Sequence, residues 1–200
     1  MSLASNPVSA PSILGPFVAW EGAFGAAEID AITQYADGLP HQDAALSGTR
    51  AGYNQNIRIT KVAWIERNTL TNGFYNHMEN IVQGLNRQFF QYVLSGLAPM
   101  QYAIYHASEQ GHFDWHVDYG RERGHEQHEP RKLSLSLQLS DPSDYEGGEL
   151  QARVRSKLDV APKTRGTVIA FPSYVLHRVT PITSGARKSL VVWALGPEYR

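Results

Sequence analysis

One seven-residue run constrains the fold more than any other part of the chain. In residues 133–139 (LSLSLQL) apolar and polar side chains alternate without a break. Successive side chains of a strand point to opposite faces of a sheet, so one face of this strand is buried and the other meets something polar. In a β-barrel or a double-sheet jelly roll, that polar face lines a pocket.

Further short strands are predicted after Pro99. The apolar runs lie at 100–105, 150–154, 168–171 and 189–195. Turn-forming pairs separate them, among them Asp141-Pro142, Pro172-Ser173 and Ser184-Gly185. The second half of the chain is therefore expected to be a β-sheet structure.

Two helices are predicted ahead of these strands. Residues 26–36 carry apolar side chains at helical spacing and are stopped by Gly38 and Pro40. A second stripe recurs at steps of three and four residues, ends at Gly96 and Pro99, and indicates an amphipathic helix packed on the core. Its members are Leu70, Phe74, Met78, Ile81, Leu85, Phe89 and Tyr92. Helices followed by strands favour an α+β fold.

The length of 200 residues predicts one domain. Residues 1–12 are rich in Ser, Pro and Ala and are expected to be a flexible tail, which leaves 13–200 as the domain. The remaining predictions are an edge strand at 13–20, a strand at 57–65, and loops at 41–56 and 120–132.

Composition excludes several kinds of site. There is no cysteine, so neither a disulfide framework nor a thiolate metal site is possible. The net charge of −1 argues against a dedicated nucleic-acid binder. No basic residue precedes the first apolar run and no apolar stretch is long enough to span a bilayer, so we expect a cytoplasmic protein with no membrane partner.

A candidate metal site comes from three residues. His116 and Asp118 are two apart, which places both on one face of a strand, and His177 follows another strand-like run. Two histidines and one carboxylate form the facial triad of non-haem iron(II) oxygenases. The triad leaves three positions of an octahedral ion open, enough for a bidentate 2-oxo acid and O₂.

Arg187 is a candidate anion-binding residue close to that site. It lies ten residues after His177, beyond Pro181 and Gly185. We expect a strand ending at His177, a turn, and a strand starting near Arg187, a hairpin that returns the guanidinium to the metal. A guanidinium there fits the distal carboxylate of 2-oxoglutarate. Lys188 would point to the opposite face.

Other patterns have weaker functional interpretations. His112 and His116 have the spacing of a helical zinc pair, but no Glu follows His112 and Gly111 argues against a helix. Gly147-Gly148 lacks the following helix and Lys of a phosphate loop, so it predicts a turn. The residues that are either substrate contacts on flanking loops or ordinary surface residues are Tyr53, Arg58, Arg121 and Arg123.

Residues 98–197 resemble the prolyl-4-hydroxylase-like group of Fe(II)/2-oxoglutarate dioxygenases. The blocks that carry the resemblance are QYAIY (101–105), HVD (116–118), LSLSLQL (133–139), DYEGGEL (144–150), GTVIAFP (166–172), HRVTPITSGAR (177–187) and VVW (191–193). Several ordered blocks at matching spacing are a more specific signal than the triad alone.

The resemblance implies a fold and a set of ligands. The fold is a double-stranded β-helix, a jelly-roll or cupin-like core, with supporting helices packed on one sheet. His116, Asp118 and His177 would bind Fe(II), and Arg187 would bind the distal carboxylate of 2-oxoglutarate.

The resemblance also points to three further side chains near the co-substrate. Tyr105 matches a tyrosine that reaches into the 2-oxoglutarate pocket. Gln138 stands where relatives often carry a tyrosine that touches 2-oxoglutarate. Trp193 matches an aromatic residue near the site, and core packing is its simpler interpretation.

The activity implied is hydroxylation of an unactivated C–H with Fe(II), 2-oxoglutarate and O₂, and with ascorbate as in many relatives. A prolyl residue in a peptide or protein is the leading substrate. A free amino acid or another small metabolite is the alternative, because 200 residues leave little room for a peptide-docking domain. A non-catalytic sensor or binding module for iron or 2-oxoglutarate is an alternative of another class. No nucleic-acid partner is expected, and the sequence does not specify an oligomeric state.

Overall fold

The computed structural model describes residues 9–44, 56–120 and 129–199. Within them, two α-helices are present, α1 (Ala26–Asp37) and α2 (Asn72–Leu85), and α2 continues into a π-helical turn at Asn86–Phe90. The strands are β1 (Ser12–Leu14), β2 (Phe17–Trp20), β3 (Gln42–Asp43), β4 (Arg58–Ile59), β5 (Lys61–Ile65), β6 (Gly96–Leu97), β7 (Met100–His106), β8 (His112–His116), β9 (Arg131–Gln138), β10 (Tyr145–Gly147), β11 (Leu150–Val154), β12 (Lys157–Val160), β13 (Val168–Pro172), β14 (Leu176–Val179) and β15 (Ile182–Leu195).

The described strands form two antiparallel sheets. The larger has the order β1-β2-β13-β9-β15-β7-β5-β3, and β6 and β10 also pair with β15. The smaller has the order β12-β11-β14-β8-β4. The 14-residue strand β15 is central to the larger sheet, because it pairs with β9 on one side and β7 on the other.

The helices cover one face of the larger sheet. Leu133, Leu135 and Leu137 of β9 are fully buried in one cluster with side chains of both helices, among them Ile32 and Met78. The polar residues between these leucines belong to the opposite face. This arrangement confirms the prediction drawn from the alternating run, and it follows from the two-residue period of a strand.

A second apolar cluster joins the two sheets. It combines Ile169 and Phe171 of the larger sheet with Leu150, Ala152 and Val179 of the smaller one. The molecule therefore has two facing sheets with helices on the outside of one of them. This is the double-stranded β-helix core with supporting helices that was predicted.

The second helix is shorter than its sequence pattern predicted. Leu70 precedes it and is 76% exposed, so that residue is wrongly included in the buried stripe. The helical segment ends at Gln91, which has a left-handed φ of 57°, rather than at Gly96 and Pro99. The Asn86 side chain hydrogen-bonds both backbone groups of Tyr92 at 2.9 Å and so replaces the next helical turn. No helix in the described ranges is long and apolar enough to cross a membrane.

Several strand boundaries also differ from the prediction. Residues 13–20 form the hairpin β1–β2, and Ser12 already belongs to β1, so the predicted tail is too long at its end. Residues 57–65 contain two strands in different sheets, since β4 pairs with β8 and β5 pairs with β7. The predicted loop at 41–56 includes β3, and β9 begins within the loop predicted at 120–132. Residues 1–8, 45–55 and 121–128 lie outside the described ranges.

Candidate metal and co-substrate site

The structure brings His116, Asp118 and His177 together. His116 ends β8, Asp118 follows two residues later, and His177 lies directly opposite His116 on the paired strand β14. The potential ligand atoms of the three side chains all lie within 4.8 Å of one another. The Nε2 atoms of His116 and His177 each lie 3.6 Å from a carboxylate oxygen of Asp118. Two nitrogen ligands and one oxygen ligand therefore face a common centre.

The two imidazoles are oriented by backbone carbonyls. Nδ1 of His116 lies 2.7 Å from the carbonyl oxygen of Asp114, and Nδ1 of His177 lies 2.9 Å from that of Val175. Since a carbonyl only accepts, each Nδ1 carries the proton and leaves the Nε2 lone pair free for a metal. Phe113 stacks on the His116 ring at 3.4 Å, which further restricts its rotation.

The carboxylate of Asp118 is held by the opposite sheet. Ser134 Oγ and Trp193 Nε1 donate hydrogen bonds to Asp118 Oδ2, at 2.8 and 3.0 Å. Ser134 and Trp193 lie directly opposite each other on β9 and β15. The backbone N–H of Asp118 donates to the carbonyl of Ser173 at 2.9 Å. These contacts place Trp193 beside a potential metal ligand, where it acts as a hydrogen-bond donor as well as packing in the core.

The protonation states of the ligands suit a metal ion. Burial, aided by the charge of neighbouring His177, lowers the pKa of His116 to about 3. Burial alone would raise the pKa of Asp118, but the two histidines and the Trp193 hydrogen bond outweigh it and bring this pKa to about 2. At neutral pH His116 is neutral and Asp118 is ionised, which are the forms that bind a cation.

Arg187 lies in the same cavity. The cavity has a volume of about 670 Å³ and is lined by the triad and by Arg187, which is only 2% exposed. Its guanidinium donates to Gln138 Oε1 at 3.0 Å and to Ser189 Oγ at 3.3 Å. Its central carbon lies 5.6 Å from the centre of the Tyr105 ring. Among the described residues, no carboxylate forms a salt bridge with Arg187. A buried cation without a counter-ion favours binding of an anion.

The path by which the chain places Arg187 differs from the predicted hairpin. His177 lies near the start of β14 rather than at a strand end, and β15 begins at Ile182, well before Arg187. The two strands belong to different sheets, because the chain crosses between the sheets around Pro181. Arg187 therefore reaches the triad across the space between facing sheets. Lys188 points away, as expected, and pairs with Asp37 at 2.7 Å.

The other predicted co-substrate residues surround Arg187. Tyr105 of β7 lies opposite Arg187 of β15. Gln138 of β9 lies opposite Ser189 of β15. Both lie on the face of the larger sheet that carries Arg187, and Tyr105 lines the cavity. Tyr105 is 3% exposed and Gln138 is 2% exposed. Gln138 thus contacts Arg187 directly, as an acceptor of one of its hydrogen bonds.

Glycine makes room for this cluster. Gly148 has a left-handed φ of 58°, and a Cβ at that position would lie 3.0 Å from Cδ of Arg187 and 2.3 Å from Cδ1 of Ile182. The Gly147-Gly148 pair was predicted only as a turn. Its second role is to leave space for the aliphatic part of the Arg187 side chain. That role could not be predicted, because it depends on the chain crossing from one sheet to the other.

Sequence reasoning undervalued Arg58 and Ser134. Arg58 was a candidate loop residue, but it lies on β4, is buried, and lines the cavity. Ser134 belongs to the polar face of the alternating run, which was the available signal. His112 and His116 lie on a strand, which agrees with the sequence argument against a helical zinc pair. Tyr53, Arg121 and Arg123 lie outside the described residues.

Comparison with known sequences identifies related proteins. Residues 100–195 match the model of the 2OG-Fe(II) oxygenase superfamily. A PKHD-type hydroxylase of Pseudomonas fluorescens is 36% identical over 85 residues, which are 42% of this chain and 38% of that protein. A PKHD-type hydroxylase of Colwellia psychrerythraea is 47% identical over 62 residues, 30% of this chain and 27% of that protein. The matched stretch thus spans less than two fifths of the length of these relatives.

Solved structures share the fold at low sequence identity. A Pseudomonas putida prolyl-4-hydroxylase is 18% identical, with a TM-score of 0.69 over 92% of this chain and 94% of that one. A Trichoplax adhaerens prolyl hydroxylase, solved with a peptide fragment of the hypoxia inducible factor oxygen degradation domain, is also 18% identical. Its TM-score is 0.71 over 90% of this chain and 83% of that one. These neighbours establish the double-stranded β-helix fold.

Proposed function

We propose that this chain, whose residues 100–195 match the 2OG-Fe(II) oxygenase superfamily, is an Fe(II)- and 2-oxoglutarate-dependent hydroxylase. One observation carries the proposal. A single cavity holds three converging metal ligands and a buried guanidinium that has no salt bridge to a described carboxylate. A bound metal ion would use the three converging ligands, and a bound dicarboxylate would pair with the guanidinium.

The residues present fit the metal. His116 and His177 offer Nε2 lone pairs, and Asp118 offers an ionised carboxylate, so two nitrogens and one oxygen would hold Fe(II). Bound iron and 2-oxoglutarate supply the oxidation: O₂ and 2-oxoglutarate are consumed, succinate and CO₂ leave, and a substrate C–H becomes C–OH. Ser134 and Trp193 keep the carboxylate in position through their hydrogen bonds to it.

The larger sheet supplies the co-substrate contacts in this proposal. Arg187 would receive the distal carboxylate of 2-oxoglutarate through charge-assisted hydrogen bonds. Gln138 and Ser189 fix the guanidinium without neutralising it, since both are uncharged acceptors. Tyr105 forms the adjacent wall of the cavity. Burial of these groups excludes water and strengthens each polar contact.

A prolyl residue in a peptide or protein is the proposed substrate. The support is the shared fold with prolyl hydroxylases and the peptide bound in one of them. A free amino acid or another small metabolite is the second candidate, favoured by the buried position of Arg58 in the cavity. A sensor that only binds iron or 2-oxoglutarate is the alternative of another class, and turnover of 2-oxoglutarate separates it from an enzyme. Ascorbate dependence and a cytoplasmic location stay predictions from the sequence.

The first test is anaerobic titration of the metal-free protein with Fe(II) and then 2-oxoglutarate. We expect a visible charge-transfer band from the chelated 2-oxo acid, which the His116→Ala variant should lack. His41→Ala is the matched control, because His41 is exposed and lies outside the cavity. No band from folded wild-type protein would refute the assignment of the metal and co-substrate.

The second test separates an enzyme from a sensor. Succinate is measured after O₂ is admitted, with prolyl peptides and with free amino acids as substrates. Substrate-stimulated succinate formation is expected. A protein that forms the band but never releases succinate would be a binding module.

A further inference from the structure

A second buried guanidinium lines the cavity. Arg58 lies on β4 of the smaller sheet and is 7% exposed. It donates from Nη2 to Gln101 Oε1 at 2.8 Å, and its guanidinium carbon lies 4.5 Å from the centre of the Phe113 ring. Phe113 in turn stacks on His116. Arg58 is therefore one aromatic ring away from a metal ligand.

The hydrogen-bonding capacity of Arg58 is incompletely used. Its Nε is buried and has no hydrogen-bond partner. Within the described ranges no carboxylate forms a salt bridge with it. Burial lowers the pKa of Arg58, although a hydrogen bond with Tyr105 and the charge of Asp118 act in the opposite direction. A guanidinium stays protonated at neutral pH. A charged group buried with an unsatisfied donor is costly unless something pairs with it.

The co-substrate does not account for this charge. 2-Oxoglutarate has two carboxylates, and in the proposed function one chelates the metal while the other binds Arg187. Arg58 lies on the smaller sheet and Arg187 on the larger sheet. Both line the same cavity, so Arg58 remains available to a second molecule bound beside the metal.

We propose that Arg58 binds a carboxylate of the substrate, so that the molecule hydroxylated is a carboxylic acid whose target C–H lies close to that group. This inference rests on the proposed function, and among its candidate substrates it favours a free amino acid or a C-terminal residue of a peptide over an internal prolyl residue. The carboxylate has two possible sources, a free amino acid or the C-terminal residue of a peptide. An internal residue of a peptide has no α-carboxylate and would leave Arg58 unpaired.

The test compares acids with their amides. Succinate formation is measured with free L-proline and other L-amino acids, with glycyl dipeptides ending in the same residues, and with the amides of both sets. Acids are expected to stimulate turnover at concentrations at least tenfold below the amides, because a charge-assisted hydrogen bond to Arg58 is stronger than a neutral one. Stimulation by free amino acids alone or by dipeptide acids identifies the source of the carboxylate.

Variants of Arg58 assign the effect to this residue. Arg58→Gln is expected to raise KM for the acid at least tenfold and to abolish the preference over the amide, with Arg58→Lys in between. The Fe(II)–2-oxoglutarate band is recorded for both variants, and KM for the acid and for the amide is compared at saturating Fe(II) and 2-oxoglutarate. The matched control is Arg155→Gln, an exposed arginine at the β11–β12 turn that does not line the cavity. It should keep the wild-type KM.

Calorimetry gives a readout that does not depend on turnover. Binding of the best acid is measured anaerobically with and without Fe(II), for the wild type and Arg58→Gln. Weaker binding by the variant in both conditions supports the inference. Equal use of acids and amides, an unchanged KM in Arg58→Gln, or no binding of any acid overturns it. Loss of the iron band in the wild type would instead refute the proposed function, and the metal-free calorimetry would still decide the role of Arg58.

Discussion

Arg187, which lines the cavity, and Gln138 behind it form a buried pair, joined by a hydrogen bond of 3.0 Å from Nη2 to Oε1. Both side chains are 2% exposed. The amide oxygen satisfies one guanidinium donor but contributes no negative charge. The pair therefore remains cationic and keeps its attraction for an anion.

Substituting a carboxylate for this amide should block the anion site. Gln138→Glu is expected to pair with Arg187 and compete with the distal carboxylate of 2-oxoglutarate, which raises KM for 2-oxoglutarate by about tenfold or more. Succinate formation against 2-oxoglutarate concentration measures the effect. Gln34→Glu, an exposed position on α1, is the control. An unchanged KM in Gln138→Glu would mean that Arg187 does not bind the co-substrate.

The hydrogen bond from Trp193 to Asp118 should affect metal affinity. Trp193→Phe keeps an aromatic ring but removes the 3.0 Å donor to Oδ2. Loss of such a partner of a metal ligand typically weakens metal binding by about 10–100-fold. Fe(II) binding is measured by anaerobic titration. Trp20→Phe is the matched control, because the Nε1 of Trp20 has no hydrogen-bond partner. Equal Fe(II) affinities in Trp193→Phe and Trp20→Phe would mean that Trp193 contributes only to packing.

Gly148 should be required for the position of Arg187. In Gly148→Ala the new methyl group would lie 3.0 Å from Cδ of Arg187, on a backbone with φ of 58°. We expect a higher KM for 2-oxoglutarate together with lower stability. Gly84→Ala on α2 meets nothing within 4 Å and should keep the wild-type KM, with a gain of about 0.5–1 kcal/mol in stability. A wild-type KM in Gly148→Ala would contradict this account.

Two leucine-to-alanine substitutions should lower the free energy of unfolding by very different amounts. Leu137 is fully buried between the larger sheet and the helices, and Leu137→Ala should lower the free energy of unfolding by about 2–5 kcal/mol. Leu70 is 76% exposed, so Leu70→Ala should change it by less than about 0.5 kcal/mol. Urea unfolding of both variants measures the difference. A large loss of stability in Leu70→Ala would show that Leu70 packs in the core after all.

The metal-free protein should lose stability on mild acidification. The pKa of His116 is about 3 in the folded protein against an ordinary value of 6.5, so below pH 6.5 the unfolded chain binds a proton that the folded chain does not. Stability therefore falls as the pH decreases from 6.5 toward 3. Urea unfolding in chelator between pH 7.5 and 4.5 shows the slope, and His116→Asn should flatten it. An equal slope in the variant would assign the proton uptake to other groups.

Much of the site was predictable because its parts are local in sequence. The His116 and Asp118 pair depends on a two-residue spacing that a strand converts into a common face. The alternating run at 133–139 predicted both a buried leucine face and a polar face, and Ser134 and Gln138 lie on the latter. The resemblance to the prolyl-4-hydroxylase-like group predicted the double-stranded β-helix, since its blocks are ordered along the chain.

What only the tertiary structure decided depends on which strands face each other. Residues 57–65 look like one strand, but the chain changes sheets within them and thereby places Arg58 in the cavity. Arg187 faces the triad from the opposite sheet rather than from a hairpin. Trp193 likewise donates its hydrogen bond to Asp118 across the gap between the two sheets. Periodicity reports which side of a strand is buried, whereas the partner across the gap is set by packing of segments far apart in sequence. For that reason the sequence alone determined the candidate metal ligands and the buried face of each strand, whereas the fold decided which buried charged side chains lie around them.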